Sequence, residues 1–157
     1  MSNEEVISLL EKLPPGHVSS PPLISIRYVD EIKIRNPKDR RKFPEQILGE
    51  CIITNEGRKA DILIYRQKDN GNDALYDFRL CILHEIGHVV FESLSKVKQK
   101  KWYSLYFQHQ TLVIWNEAGR DQIEHFCDTY ARLILTPLLV EKRFSKEYRY
   151  MQKEVFN

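Results

Sequence analysis

No apolar run in the 157-residue sequence approaches the ~20 residues that a membrane-spanning helix needs. The opening MSNEEVISLLEKLPP is acidic and amphipathic. It lacks the basic start, apolar stretch and small-residue cleavage site of a signal peptide. The three cysteines, Cys51, Cys81 and Cys127, are odd in number and scattered, which argues against a disulfide framework. These absences predict a cytoplasmic protein with no membrane partner. Strong charge of one sign is also missing. A formal net charge of +2 and a pI near 8.4 are too mild to specify nucleic acid, which is not expected as a direct substrate. No internal repeat or low-complexity tract interrupts the chain.

The composition is 42% apolar and 29% charged, that of a globular chain long enough for one domain with a core. The expected domain is residues 1–157. Ser2-Asn3-Glu4-Glu5 has the form of a capping box. Val6, Leu9, Leu10 and Leu13 follow at helical spacing, so a helix is predicted over 3–13, stopped by Pro14-Pro15-Gly16. Ile24, Ile26 and Tyr28 alternate with Ser25 and Arg27 as in a half-buried strand. Cys51-Ile52-Ile53, Asn55-Glu56-Gly57 and Ala60 to Tyr65 read as a hairpin. Lys68-Asp69-Asn70-Gly71-Asn72 is a loop. Asp73 is placed to cap a helix running to about Ser95, with Phe78, Ile82, Ile86 and Val89 as its apolar stripe, widened by Cys81 and Leu83. Lys96 to Lys101 reads as its end. The aromatic, β-branched stretch 102–115 reads as extended. Asp121 is placed to cap a further helix ending before Pro137, and a last helix follows Leu138. Strands precede helices, so the class is α+β, with a small mostly antiparallel sheet packed on helices.

The second of these helices contains His84-Glu85-Ile86-Gly87-His88. Residues four apart share a helix face, about 6 Å apart between Cβ atoms, so His84 and His88 can aim at one ion. Glu85 lies about 100° around the helix, out of that pair but within reach of a water on the ion. This is the arrangement of hydrolytic zinc sites, with the carboxylate as general base. Two core histidines are the alternative; with this composition the pattern arises by chance in about one sequence in a hundred. Gly87 adds weight, because glycine costs about 1 kcal/mol inside a helix and belongs where another backbone or a bound peptide comes close.

A catalytic zinc needs a third protein ligand and an open position. The extended pattern His-x-x-Gly-x-x-His fails, since Phe91 and Leu94 stand at the required places. Glu124 and Asp128 share a face of the next long helix. One carboxylate can bind the ion while the other accepts the free N–H of a ligand histidine. A solvated helix face is the bland alternative. His125 competes for the ligand role but points about 100° away from Glu124. Cys81 and Cys127, three residues from His84 and Glu124, can also approach the ion. A bound thiolate would shut the open position; buried inert cysteines are the alternative.

His84-Glu85-Ile86-Gly87-His88 followed by Glu124-x-x-Cys127-Asp128-x-Tyr130-Ala131-x-x-Ile134-Leu135-x-Pro137 resembles the ImmA/IrrE metallopeptidases. The resemblance covers roughly Gly49 to Pro137. Gly49 and the strand Ala60 to Tyr65 fall where that family has a glycine and an edge strand. Cys127, Tyr130 and Thr136 stand where its members usually have Ala, Phe and Met. The resemblance implies a minimal zincin-like fold and a Zn2+ cofactor held by His84, His88 and Glu124. Glu85 would be the base, with Asp128 supporting a ligand from behind. It also implies a protein partner: cleavage of a helix-turn-helix transcriptional repressor, in mobile-element or stress control.

Hydrolysis of a peptide needs a donor for the oxyanion beside the metal. His109, Tyr103 and Tyr106, between the two motifs, are the candidates; packing is the alternative role for each. The strand Ala60 to Tyr65 is read either as an edge that an extended substrate joins or as an ordinary core strand. Lys38-Asp39-Arg40-Arg41-Lys42 and Lys96 to Lys101 read as solvated faces rather than contacts to an acidic partner. The competing functions are a non-catalytic zincin-fold module acting through a protein partner and a zinc hydrolase for a non-peptide substrate. Glu85 favours catalysis, because a structural ion has no use for a base.

Overall fold

The computed structural model describes residues 2–19, 22–29, 49–54, 59–65, 74–108 and 122–157. The basic group 38–42, the loop 68–72, the expected caps Asp73 and Asp121, and His109 lie outside the described residues. The class is α+β, with seven helices and one three-stranded mixed sheet among the described residues.

Helix α1 spans Asn3–Leu10. Its capping box is formed: the Ser2 hydroxyl accepts from the Glu5 N–H at 3.3 Å, and the Glu5 carboxylate accepts from the Ser2 N–H at 2.7 Å. The helix ends three residues earlier than the periodicity predicts. Leu13 is still buried, but on a turn ahead of Pro14, which disfavours helical backbone in the residue before it. A single turn, α2 (Gly16–Ser19), follows.

Strands β1 (Leu23–Val29), β2 (Gly49–Thr54) and β3 (Lys59–Tyr65) lie in the order β1-β3-β2. β2 and β3 form the expected antiparallel pair, with Gly49 opposite Ile64 and Thr54 opposite Lys59. β1 runs parallel to β3. The sheet is therefore mixed rather than mostly antiparallel, and β3 is internal rather than an edge. Burial explains the difference. Ala60, Ile62, Leu63, Ile64 and Tyr65 are all buried, a run without the polar alternation of a half-solvated strand. Direction between non-consecutive strands leaves no mark on local periodicity.

Helix α3 (Ala74–Ser93) packs against α5 (Gln122–Leu135) on one side and against β2 and β3 on the other. Between them α4 spans Lys96–Gln108, where the sequence predicts a helix end and an extended segment. The lysines are the first turns of a new helix. Gln99 and Trp102, three apart, face inward and are buried, whereas Val97 is exposed. So narrow a buried face gives a weak periodic signal, and tertiary packing of one indole outweighs the β propensity around it. The Trp102 Nε1–H donates to the Gln122 carbonyl at 2.8 Å, and its ring stacks on His125 at 5.4 Å. α6 (Pro137–Arg143) starts with proline at its first position, where the missing N–H costs nothing. α7 (Ser145–Tyr150) and a π-helical turn (Met151–Val155) complete the chain. One hydrophobic cluster runs from Leu9 through α3 and α5 to Val155. Among the described residues no helix is long and apolar enough to cross a membrane.

His17 ties the two ends together. Its Nε2–H donates to the Val155 carbonyl at 2.9 Å, so Nδ1 accepts from the Tyr130 hydroxyl at 2.9 Å. Burial lowers its pKa from 6.5, against the raising effect of the Val155 bond. The fold thus prefers neutral His17. Its contribution is complete above pH 6.5 and is lost as pH falls and the unfolded chain takes up the proton first. His17→Ala is expected to cost about 2 kcal/mol at neutral pH. In urea unfolding the stability gap between wild type and variant should narrow between pH 7 and pH 5.

Candidate metal centre

From Cys81 to Phe91 every residue of α3 is buried except His84 and His88, which are half-buried. Over this stretch a helix enclosed by a sheet and a second helix thus opens toward solvent only at its two imidazoles. α5 lies across that opening. The acidic face of α5 is set by the four-residue spacing of Glu124 and Asp128.

The His84 Nδ1–H donates to Asp128 Oδ1 at 2.8 Å, and Nε2 faces Glu124 Oε2 at 3.1 Å. His88 Nε2 lies 3.6 Å from the other Glu124 oxygen, Oε1. The two imidazole centroids are 5.2 Å apart. Both histidines thus turn Nε2 toward one carboxylate, and Asp128 holds His84 from behind. Burial pulls the His84 pKa down, but the hydrogen bonds to Asp128 and Glu124 outweigh it and raise it to about 10.

Glu85 is buried on the sheet side of the same turn. Its carboxylate accepts a hydrogen bond from the Cys51 backbone N–H in β2. Burial raises its pKa to about 7; the charge of His84 opposes this, and Glu124 and Glu50 add to it. Gly49 makes the approach of β2 possible. A Cβ there would lie 2.9 Å from Glu85 Oε1 and 2.9 Å from Cys81 Sγ. Gly87 does the same on the opposite side, where a Cβ would lie 2.8 Å from Cys127 Cα. The close approach anticipated from Gly87 is that of α5.

The donor chemistry fits a divalent cation of the zinc type: two imidazole nitrogens and a carboxylate converge, with a second carboxylate fixing one ring. Cys127 adds a further donor. The donor atoms of His84, His88 and Cys127 all lie within 4.8 Å of one another. The structure therefore offers two side chains beside the histidines, Glu124 at the more exposed side and the wholly buried Cys127 beneath.

The other candidates lie elsewhere. His125 is buried in the core, stacked on Trp102, with Nε2 3.9 Å from Glu147 Oε1. The Tyr103 ring packs on Phe91 with centroids 5.8 Å apart. Tyr106 lies on α4, and its side chain is outside the description, as is His109. Cys81 is buried at Gly49, and burial pushes the Cys51 thiol up to about 12. The Lys96–Lys101 run is part of α4; Lys101 pairs with Glu154 at 2.8 Å. The bond from Cys51 to Glu85 escaped sequence reasoning, because a backbone donor on a strand has no side-chain signature. Gly49 was its only trace.

Comparison with family models, with curated proteins and with solved structures finds no match for this chain.

Two substitutions probe this geometry. Gly87→Ala gains about 1 kcal/mol of helix propensity but forces a methyl against the α5 backbone. A net loss of about 1–2 kcal/mol is expected in urea unfolding. Asp128→Asn removes the charged acceptor behind His84. It should weaken zinc binding about 10–100-fold in a chelator competition while leaving the unfolding midpoint nearly unchanged.

Proposed function

We propose that this protein is a zinc-dependent endopeptidase of the ImmA/IrrE type, with a zincin-like fold. Its substrate would be a regulatory protein, such as a helix-turn-helix repressor in mobile-element or stress control. One observation carries the reading: His84 and His88 turn Nε2 toward the Glu124 carboxylate while Glu85, one residue along, stays outside that set with its pKa near 7. A site serving only to hold an ion has no need of a buried carboxylate kept beside the ligands.

His84, His88 and Glu124 would hold the ion, with Asp128 orienting His84. When bound, such an ion acidifies water and polarises a carbonyl. Glu85 takes the proton from the attacking water and delivers it to the leaving amine. A base with a pKa near the working pH suits both transfers. The Cys51 N–H holds the Glu85 carboxylate in place, so the base is aimed before substrate arrives. Among the described residues β2 lies at the rim of the sheet, beside Glu85. An extended substrate segment would add there rather than at β3, which is enclosed.

The second reading is a non-catalytic module of the same fold, acting through a protein partner. The observation favouring it is Cys127, whose thiol could complete a closed structural site.

Glu85→Gln separates the two. Incubation of the zinc-loaded chain with a candidate helix-turn-helix protein, followed by intact mass, should give one specific cleavage. Glu85→Gln should bind zinc with wild-type affinity and lower the cleavage rate by at least about 100-fold. Biological activity that survives the substitution would instead support the partner-binding module.

A further inference from the structure

We propose that Cys127 is a ligand of the same ion, taking the fourth coordination place in the resting protein, so that the site is latent until the thiolate leaves. This rests on the metal reading above and adds the regulation of that site.

Three features support it. The Cys127 Sγ is one of three donors, with nitrogens of His84 and His88, that lie within 4.8 Å of one another. Donors around one tetrahedral zinc are separated by roughly 3.3–3.8 Å, from bonds of about 2.0–2.3 Å. A side-chain adjustment of about 1 Å therefore closes the set. Secondly, the thiol comes from the inner side. Cys127 has no exposed surface, whereas the Glu124 side chain is 39% exposed. Protein would then hold the ion from beneath as well as from the rim. Thirdly, Gly87 stands between His84 and His88 in sequence and admits the Cys127 backbone to that turn; its absent Cβ would also lie 3.2 Å from Sγ. The same contact that brings α5 to the histidines brings the sulfur with it.

On binding, the S–H bond breaks and a metal–sulfur bond forms. The water in that position leaves, and the proton passes to solvent. No electrons are exchanged. Return of the water reverses each step. Glu85 has a water to act on only in the opened form, which reconciles a retained base with a closed resting site.

Cobalt(II) added to the metal-free full chain tests this without reference to activity. The wild type should bind one cobalt per chain and show a near-ultraviolet sulfur-to-cobalt charge-transfer band. A Cys51→Ser/Cys81→Ser double variant should keep the band, and Cys127→Ser should lose it while still binding one cobalt by equilibrium dialysis. Cobalt bound without the band in wild type, or a band surviving Cys127→Ser, overturns the role of Cys127 and leaves the metal reading standing. Failure of wild type to bind either cobalt or zinc overturns both. Should Cys127→Ser not fold, zinc-edge X-ray absorption of the Cys51→Ser/Cys81→Ser variant decides: one sulfur neighbour at about 2.3 Å supports the assignment, and none removes it.

Discussion

At Gly87 the backbone of α3 meets the backbone of α5 so closely that a single methyl would collide with Cys127 Cα. Everything at the candidate site depends on this crossing. Glu124 and Asp128 flank Cys127 on α5, and His84 and His88 flank Gly87 on α3. Bringing the two central residues together sets the carboxylates opposite the imidazoles. A wider crossing would lengthen the His84–Asp128 bond and draw the Glu124 oxygens away from both rings. The apolar sides of the same helices, with Ile82, Ile86, Phe126 and Tyr130, hold the crossing shut. Hydrophobic burial thus supplies the force, and glycine the clearance.

The sheet places the remaining group. β2 comes against α3 at Gly49, and the Cys51 N–H takes one lone pair of Glu85. Glu85 is thereby separated from its neighbours in surroundings although it adjoins them in sequence: the histidines face α5, and the carboxylate faces the strand. Burial raises its pKa toward neutrality while the backbone bond limits the rise.

Much of this was legible in the sequence. The α+β class, the capping box, the β2–β3 pairing and the helices bearing His84 and Glu124 followed from period, caps and turn residues. The four-residue spacings put His84 with His88 and Glu124 with Asp128. What the sequence concealed has physical reasons. The parallel pairing of β1 with β3 is a long-range choice, and the enclosure of β3 depends on both neighbours. The α4 helix depends on burying Trp102 against His125, Phe126 and Tyr150, partners 23 to 48 residues away. His125, open as a ligand from sequence, is turned into that aromatic cluster by the helical angle that separates it from Glu124.

By itself the sequence determined which side chains share a helix face, because 3.6 residues per turn is a local property of the backbone. It therefore specified two pairs of side chains, His84 with His88 and Glu124 with Asp128, and a carboxylate, Glu85, beside the first pair. Which pairs meet, which residue stays apart, and that Cys127 enters the group were decided only by tertiary packing. Those outcomes depend on the distance between two backbones and on a strand resting against a glycine. No local periodicity encodes either.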